Sequence, residues 1–179
     1  ERRKTGRFLA EGENSVAEAL ATATVHEVFV TAAAADRYPD LLTAAHHRNI
    51  RVSLVTDRAA ERLSDTVTPP GVIAVCDLLD VPLDRALTGQ PRLLAVPVGV
   101  SEPGNAGTVI RVADAVGADA VILAGDSVDP HNGKCVRSSA GSVFHLPVAR
   151  ERDTDRVLEA LTAAGIRILA TAADGEVDL

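Results

Sequence analysis

Apolar residues along the chain fall in short runs separated by longer stretches of helical spacing. Runs at 25–31, 50–55, 72–76, 93–98, 120–124 and 166–170 predict β-strands. Stretches 15–21, 37–47 and 57–63 predict helices, the first with Asn14 or Ser15 as its N-cap. A further helix opens near Asn105, with Val109, Val112, Ala113 and Val116 as its apolar stripe. Strand alternating with helix predicts an α/β fold with a largely parallel sheet. Between 77 and 92 the pattern lapses, and Pro82, Gly89 and Pro91 among polar neighbours mark an exposed connection. The expected organisation is an α/β domain over 1–77, a linker over 78–91 and a second α/β domain over 92–179.

Composition narrows the class. The chain has 179 residues, 46% of them apolar and 24% charged, so it can bury a core. No apolar run approaches the roughly 18 residues of a membrane span, and the basic opening leads into no signal-peptide core. Only Cys76 and Cys135 occur, with no CxxC pair, so a disulfide scaffold and a zinc knuckle are both unsupported and a reducing, cytoplasmic setting is expected. Met is absent and the first residue is Glu, which predicts an internal stretch of a longer product. Sixteen of the 18 basic residues are Arg and Ala abounds, which suggests GC-rich, actinobacterial coding. A net charge of −7 excludes a general nucleic-acid coat, so any RNA contact must use a local patch.

One such patch is the opening Arg2-Arg3-Lys4, with Arg7 beside Phe8: four cations next to an aromatic, or a solvated terminus. The richest segment is 97–117. A strand ends in a Pro- and Gly-rich turn and a helix follows, on which Gly107 and Arg111 stand four apart. A glycine there predicts an unobstructed approach for Arg111 to the rim outside the strand ends, where α/β sheets bind ligands. The spacing of Gly99, Gly104 and Gly107 fits no GxGxxG, and Gly125 with Gly133-Lys134-Cys135 fits no phosphate loop. In 129–148 a Pro-Asn-Gly turn precedes a short helix on which Lys134 and Arg137 stand three apart, placed to face one anion. His131, His145 and Cys135 match no zinc module, and the adjacent His46 and His47 cannot converge on one ion, so no metal is expected.

Together these two segments resemble the SpoU family of RNA ribose methyltransferases, within the SPOUT superfamily. Asn105, Gly107 and Arg111, with Ala113 and Gly117, match its first motif; 129–132, Lys134, Val136-Arg137, Ser139, Gly141, Phe144 and 146–148 resemble its second. The opening 6–12 is similar to the start of the family's RNA-binding domain, which has an L30e-like fold. The resemblance implies a SPOUT domain with a C-terminal trefoil knot, homodimerisation, and methyl transfer from S-adenosylmethionine to a ribose 2′-hydroxyl. It implies catalytic roles for Arg111 and Asn105, with Asn105 orienting Arg111 or capping the helix. It also implies a donor-pocket lip at Thr171 and Ala172, and RNA contacts from Arg2, Arg3, Lys4, Arg7, Lys134 and Arg137. Ribosomal RNA, specifically 23S, is the expected substrate, in housekeeping or antibiotic resistance, with transfer RNA as the alternative. The third motif, which should follow 166–170, is absent, so the knot-forming part is expected to lie outside this sequence. A non-catalytic RNA-binding module and a base methyltransferase are the competing classes.

Overall fold

The computed structural model describes residues 2–171, apart from positions 65 and 67 and the side chain of Arg3. A single helical turn, α1 (Arg2–Thr5), leads into β1 (Arg7–Glu11), α2 (Glu13–Thr22), β2 (Val25–Val30), α3 (Ala32–Arg37), α4 (Pro39–His47), β3 (Arg51–Leu54), α5 (Asp57–Leu63) and β4 (Val72–Asp77). The chain continues through α6 (Leu83–Ala86), β5 (Leu94–Ala95), α7 (Pro103–Ala115), β6 (Ala120–Ala124) and α8 (Gly133–Ser138). A 3-10 turn (Ser142–Phe144), β7 (Val148–Glu151) and α9 (Thr154–Ala163) complete it.

The strands form two separate sheets, ordered β1-β4-β2-β3 and β5-β6-β7. The second is parallel throughout. The first departs from the expected parallel pattern: β4 runs antiparallel to both β1 and β2, and only β2 and β3 are parallel. β4 starts where β2 ends, with Val72 opposite Val30. The predicted helix over 37–47 breaks into α3 and α4 at Tyr38, because a residue before proline avoids helical backbone and Pro39 starts the new helix. The N-cap of α2 is Gly12, at φ 91°, and not Asn14 or Ser15; Ser15 is buried instead.

β6 is buried on both faces, as parallel strands between two layers must be. Val121 and Leu123 face a core shared with the first sheet, which includes Phe8, Ala10, Ile110, Val136 and Val143. Ile122 and Ala124 face a second core with Leu83, Ala86, Val157 and Leu161. The stretch expected as an exposed linker therefore carries a packed turn: Leu83 and Ala86 of α6 are buried, and Val81 bridges Ala149 beside β7. Residues 166–170 form no strand. A strand needs a neighbouring strand to pair with, and among the described residues none pairs with this run: Ile166 N–H donates back to the Leu161 carbonyl at 3.0 Å, and Ile168 and Leu169 are exposed.

The apolar stripe on α7 also differs from expectation. Ala106, Gly107, Ile110 and Ala113 are buried, while Val112 and Val116 are exposed. The reason is α8. A Cβ on Gly107 would lie 2.0 Å from Ser138 Oγ and 2.4 Å from the Cys135 carbonyl oxygen. Gly107 therefore admits α8 against α7; it does not clear a path for Arg111.

Candidate active site

The two motif segments meet at the carboxyl ends of β5, β6 and β7. Gly99 N–H donates to the Ala124 carbonyl at 3.0 Å, and Gly125 N–H donates to that of Glu151 at 2.9 Å. Ser127 Oγ donates to the Ala124 carbonyl at 2.6 Å and accepts from Val100 N–H at 3.1 Å, which ties the two loops together. Arg150 Nη2 donates to the Ser127 carbonyl at 2.7 Å from below. Gly99 and Gly125 sit at φ +65° and +67°, and a Cβ on Gly99 would meet nothing within 4 Å. The rim is thus clear at Gly99, whereas at Gly125 the Thr154 hydroxyl and a Val98 methyl lie 3.5 and 3.7 Å from where a Cβ would stand; it occupies the position where parallel α/β sheets receive ligands.

α7 rises from this rim. Its N-cap is Glu102, which accepts from Gly104 N–H at 3.2 Å and pairs with Lys134 Nζ at 2.6 Å. Lys134, then the Gly104 amide, hold the Glu102 carboxyl below the usual carboxylate range. Asn105 stands exposed in the first turn, so it does not cap the helix. Six residues of helix put Arg111 about 9 Å further along the axis and about 120° around it, so the two side chains do not share a face. Arg111 is exposed, with no ion-pair or hydrogen-bond partner among the described residues.

The remaining cations are arranged differently from expectation. Lys134 and Arg137 do not converge on one anion, because each already has a carboxylate: Lys134 binds Glu102, and Arg137 Nη1 donates to Glu11 Oε2 at 3.0 Å. Glu11 is only 7% exposed and also accepts from Ser64 and Thr66, as a buried carboxylate requires. Arg2 Nε donates to Asp129 Oδ2 at 3.0 Å. Asp129 accepts from the His131 amide at 2.9 Å and faces His131 Nδ1 at 3.2 Å. Leu79 N–H donates to His131 Nε2 at 2.9 Å, which assigns the imidazole proton to Nδ1, toward Asp129. His131 first, with Arg2 in support, holds the Asp129 carboxyl well below its ordinary range. Lys4 and Arg7 are exposed without a described side-chain partner. Arg3 lies in α1 with its side chain outside the described atoms, and Thr171 is exposed beyond the last helix. Ala172 lies outside the described residues. Sequence reasoning missed the carboxylates: Glu11 and Arg137 are 126 positions apart, a separation that leaves no spacing signal.

Among the described residues no helix is long and apolar enough to cross a membrane, and no group of three His, Cys, Asp or Glu is placed to hold a metal. Residues 92–178 match the model of the SpoU rRNA Methylase family, and residues 9–82 match that of RNA 2′-O ribose methyltransferase substrate binding. The chain belongs to the SpoU methyltransferase family. It is 38% identical over 173 residues to the 23S rRNA (guanosine(2553)-2′-O)-methyltransferase of Bacillus subtilis, covering 96% of this chain and 65% of that protein. It is 35% identical over 130 residues to the 23S rRNA (uridine(2479)-2′-O)-methyltransferase of Streptomyces viridochromogenes, covering 71% of this chain and 45% of that one. The AdoMet-bound rRNA methyltransferase of Sinorhizobium meliloti superposes with TM-score 0.75 at 30% identity, over 91% of this chain and 60% of that one. The SpoU methyltransferase AviRb of Streptomyces viridochromogenes, in complex with AdoMet, gives TM-score 0.76 at 28% identity, over 90% of this chain and 60% of that one. The chain thus spans less than two thirds of the length of each of these relatives.

Proposed function

We propose that this chain is the RNA-binding and catalytic portion of an enzyme that transfers a methyl group from S-adenosylmethionine to a ribose 2′-hydroxyl of 23S ribosomal RNA in the cytoplasm. The observation that carries the reading is the junction at Gly107, where the two motif segments pack as α7 against α8 beside the rim. That rim suits an extended donor, because at Gly99 no side chain covers it and a Cβ there would meet nothing within 4 Å. Gly99, Gly125 and Thr171 would hold the donor, with Ala172 as the further lip. When bound, S-adenosylmethionine supplies an electrophilic methyl carbon. Arg111 binds the phosphate next to the target ribose and stabilises the oxyanion as the 2′-hydroxyl gives up its proton to solvent water. A guanidinium only donates hydrogen bonds and has no free lone pair to take a proton, so Arg111 does not act as the base. Asn105 contributes from the first turn of the same helix.

The homodimer belongs to this reading. Val112 and Val116, 53% and 62% exposed, lie four apart on one face of α7 just after Arg111 and form the apolar surface that a second copy would cover, completing the site. The first sheet, over 1–77, is read as the L30e-like RNA-binding domain, joined through 78–91 to a domain of the SPOUT trefoil-knot class over 92–179, which lacks the third, knot-forming motif. Single-turnover transfer in the full-length protein tests the assignment. Arg111→Lys should lower the rate at saturating RNA and donor, and Arg111→Ala should lower it further, because a point charge cannot copy two parallel donors. Wild-type rates in Arg111→Ala remove Arg111 from the chemistry. Nuclease digestion of the product separates ribose from base methylation and from a non-catalytic binding module, and mapping the nucleotide separates housekeeping from resistance.

A further inference from the structure

Alternation along β1 sends Phe8 and Ala10 into the shared core and turns Arg7, Leu9 and Glu11 to the opposite face of the sheet. Leu9 pairs with Val75 of β4, so the two half-buried side chains lie together. Leu63, at the end of α5, borders them, and α8 forms the facing wall with Gly133 and Arg137. Between these walls is a cleft of about 390 Å³, with an apolar floor at Leu9, Leu63 and Val75 and guanidinium groups at Arg2, Arg7 and Arg137. Three arginines around one cleft contrast with a chain whose net charge is −7. Two of them are held in place by Asp129 and Glu11, and the third, Arg7, has no described side-chain partner.

A ligand that fits such a lining is flat and apolar at one end and anionic at the other. We infer that the cleft receives one unpaired nucleotide of the RNA, its base against Leu9, Leu63 and Val75 and its phosphate at Arg7 and Arg137. Single-stranded positions can turn their bases outward in this way, whereas paired ones cannot. Arg7 carries the free charge, and Arg137 offers the N–H groups that Glu11 does not use. The inference rests on the RNA reading above and adds to it a preference for an unpaired nucleotide at a place distinct from Arg111.

The test uses the full-length protein and two RNA hairpins that differ by one extra, unpaired adenosine in the stem, with affinity read by fluorescence anisotropy. Wild type should bind the bulged hairpin about tenfold more tightly. Leu9→Trp fills the floor without changing charge and should abolish that preference while leaving the affinity for the perfect hairpin. Arg7→Ala, at an exposed position, should reduce the preference even if Leu9→Trp does not fold, which thermal melting monitors. A photoreactive thiouridine at the bulge should cross-link to peptides of β1 or β4. Equal wild-type affinity for the two hairpins overturns the cleft and leaves the RNA reading standing. A preference that survives in folded Leu9→Trp, or that is undiminished in Arg7→Ala, also overturns the cleft, and absence of binding to either hairpin overturns both.

Discussion

Gly107→Ala opposes two effects of known sign. In a helix interior, alanine is favoured over glycine by about 0.8–1.0 kcal/mol, so an unobstructed site would be stabilised. Here the added Cβ would sit 2.4 Å from the Cys135 carbonyl oxygen and 2.9 Å from the Ser139 nitrogen, both backbone atoms, besides 2.0 Å from Ser138 Oγ. The hydroxyl can rotate away, with loss of its 3.1 Å bond to the Cys135 carbonyl. The backbone cannot, and the shortest of these contacts must lengthen by roughly 1 Å to reach ordinary separation. Overpacking of this kind costs about 1–3 kcal/mol, at least as much as the propensity gain, and the clash with main chain puts this site at the upper end. A net loss of about 1–2 kcal/mol corresponds to a fall in Tm of roughly 2–8 °C for a chain of this size. Differential scanning fluorimetry of the purified full-length protein, with urea titration as a second reading, measures it. A Gly107→Ala variant as stable as wild type, or more so, would refute the close α7–α8 junction.

Two further outcomes follow from the ion pairs. His145 lies between Glu18 (Nε2 to Oε2 2.9 Å) and Asp114 (Nδ1 to Oδ2 2.8 Å), and Glu18 first, then Asp114, raise its pKa. A raised folded pKa makes this stabilisation complete below the unfolded value of about 6.5 and removes it as pH climbs through the folded value. The Tm advantage of wild type over His145→Gln should therefore shrink between pH 6 and pH 9, and a pH-independent gap contradicts the charged bridge. Replacing Arg2, Arg3, Lys4 and Arg7 with Ala should flatten the salt dependence of RNA binding by about 0.7–0.9 for each phosphate that is no longer neutralised. Arg7→Ala alone should flatten it more than Arg2→Ala, because Asp129 already holds Arg2; identical slopes in all variants would return the cluster to a solvated terminus.

Much of the architecture was legible from hydrophobic runs, and the exceptions share a cause. β2, β4 and β6 coincide with apolar runs because most of their residues are covered, and β3 coincides with one although, as an edge strand, none of its residues is buried. β1 escaped because, as an edge strand, it alternates between core and cleft and reads Arg-Phe-Leu-Ala-Glu. β7 escaped because only its first two residues are buried. The run at 166–170 was over-read, since apolar character says nothing about whether a hydrogen-bonding neighbour exists. On α7 the large valines draw the predicted stripe, of which only Ala113 is buried; the buried surface is Ala106, Gly107, Ile110 and Ala113, with glycine where α8 approaches most closely. Arg111 and Gly107 were recognisable from motif spacing. The carboxylates that occupy Lys134 and Arg137 were not, because tertiary ion pairs obey no local spacing.

Among the described residues, ion pairs that join 1–77 to 92–171 include Arg2 to Asp129, Arg137 to Glu11, and His145 to Glu18. They surround a joint in which the Phe8 ring lies 4.8 Å from that of His131 and 6.0 Å from that of Phe144. Such a joint is a weld and not a hinge, since sliding either sheet would leave Glu11 buried without its cation and open a void beside Phe8. The separation of Arg7 from Arg111 is then set once, at folding, like the jaws of a locked caliper. Under the RNA reading, the nucleotide selected for modification is the one that the RNA's own fold delivers at that span. An RNA that must stretch or compress to reach it bears that deformation cost alone, and discrimination between sites becomes a measurement of length.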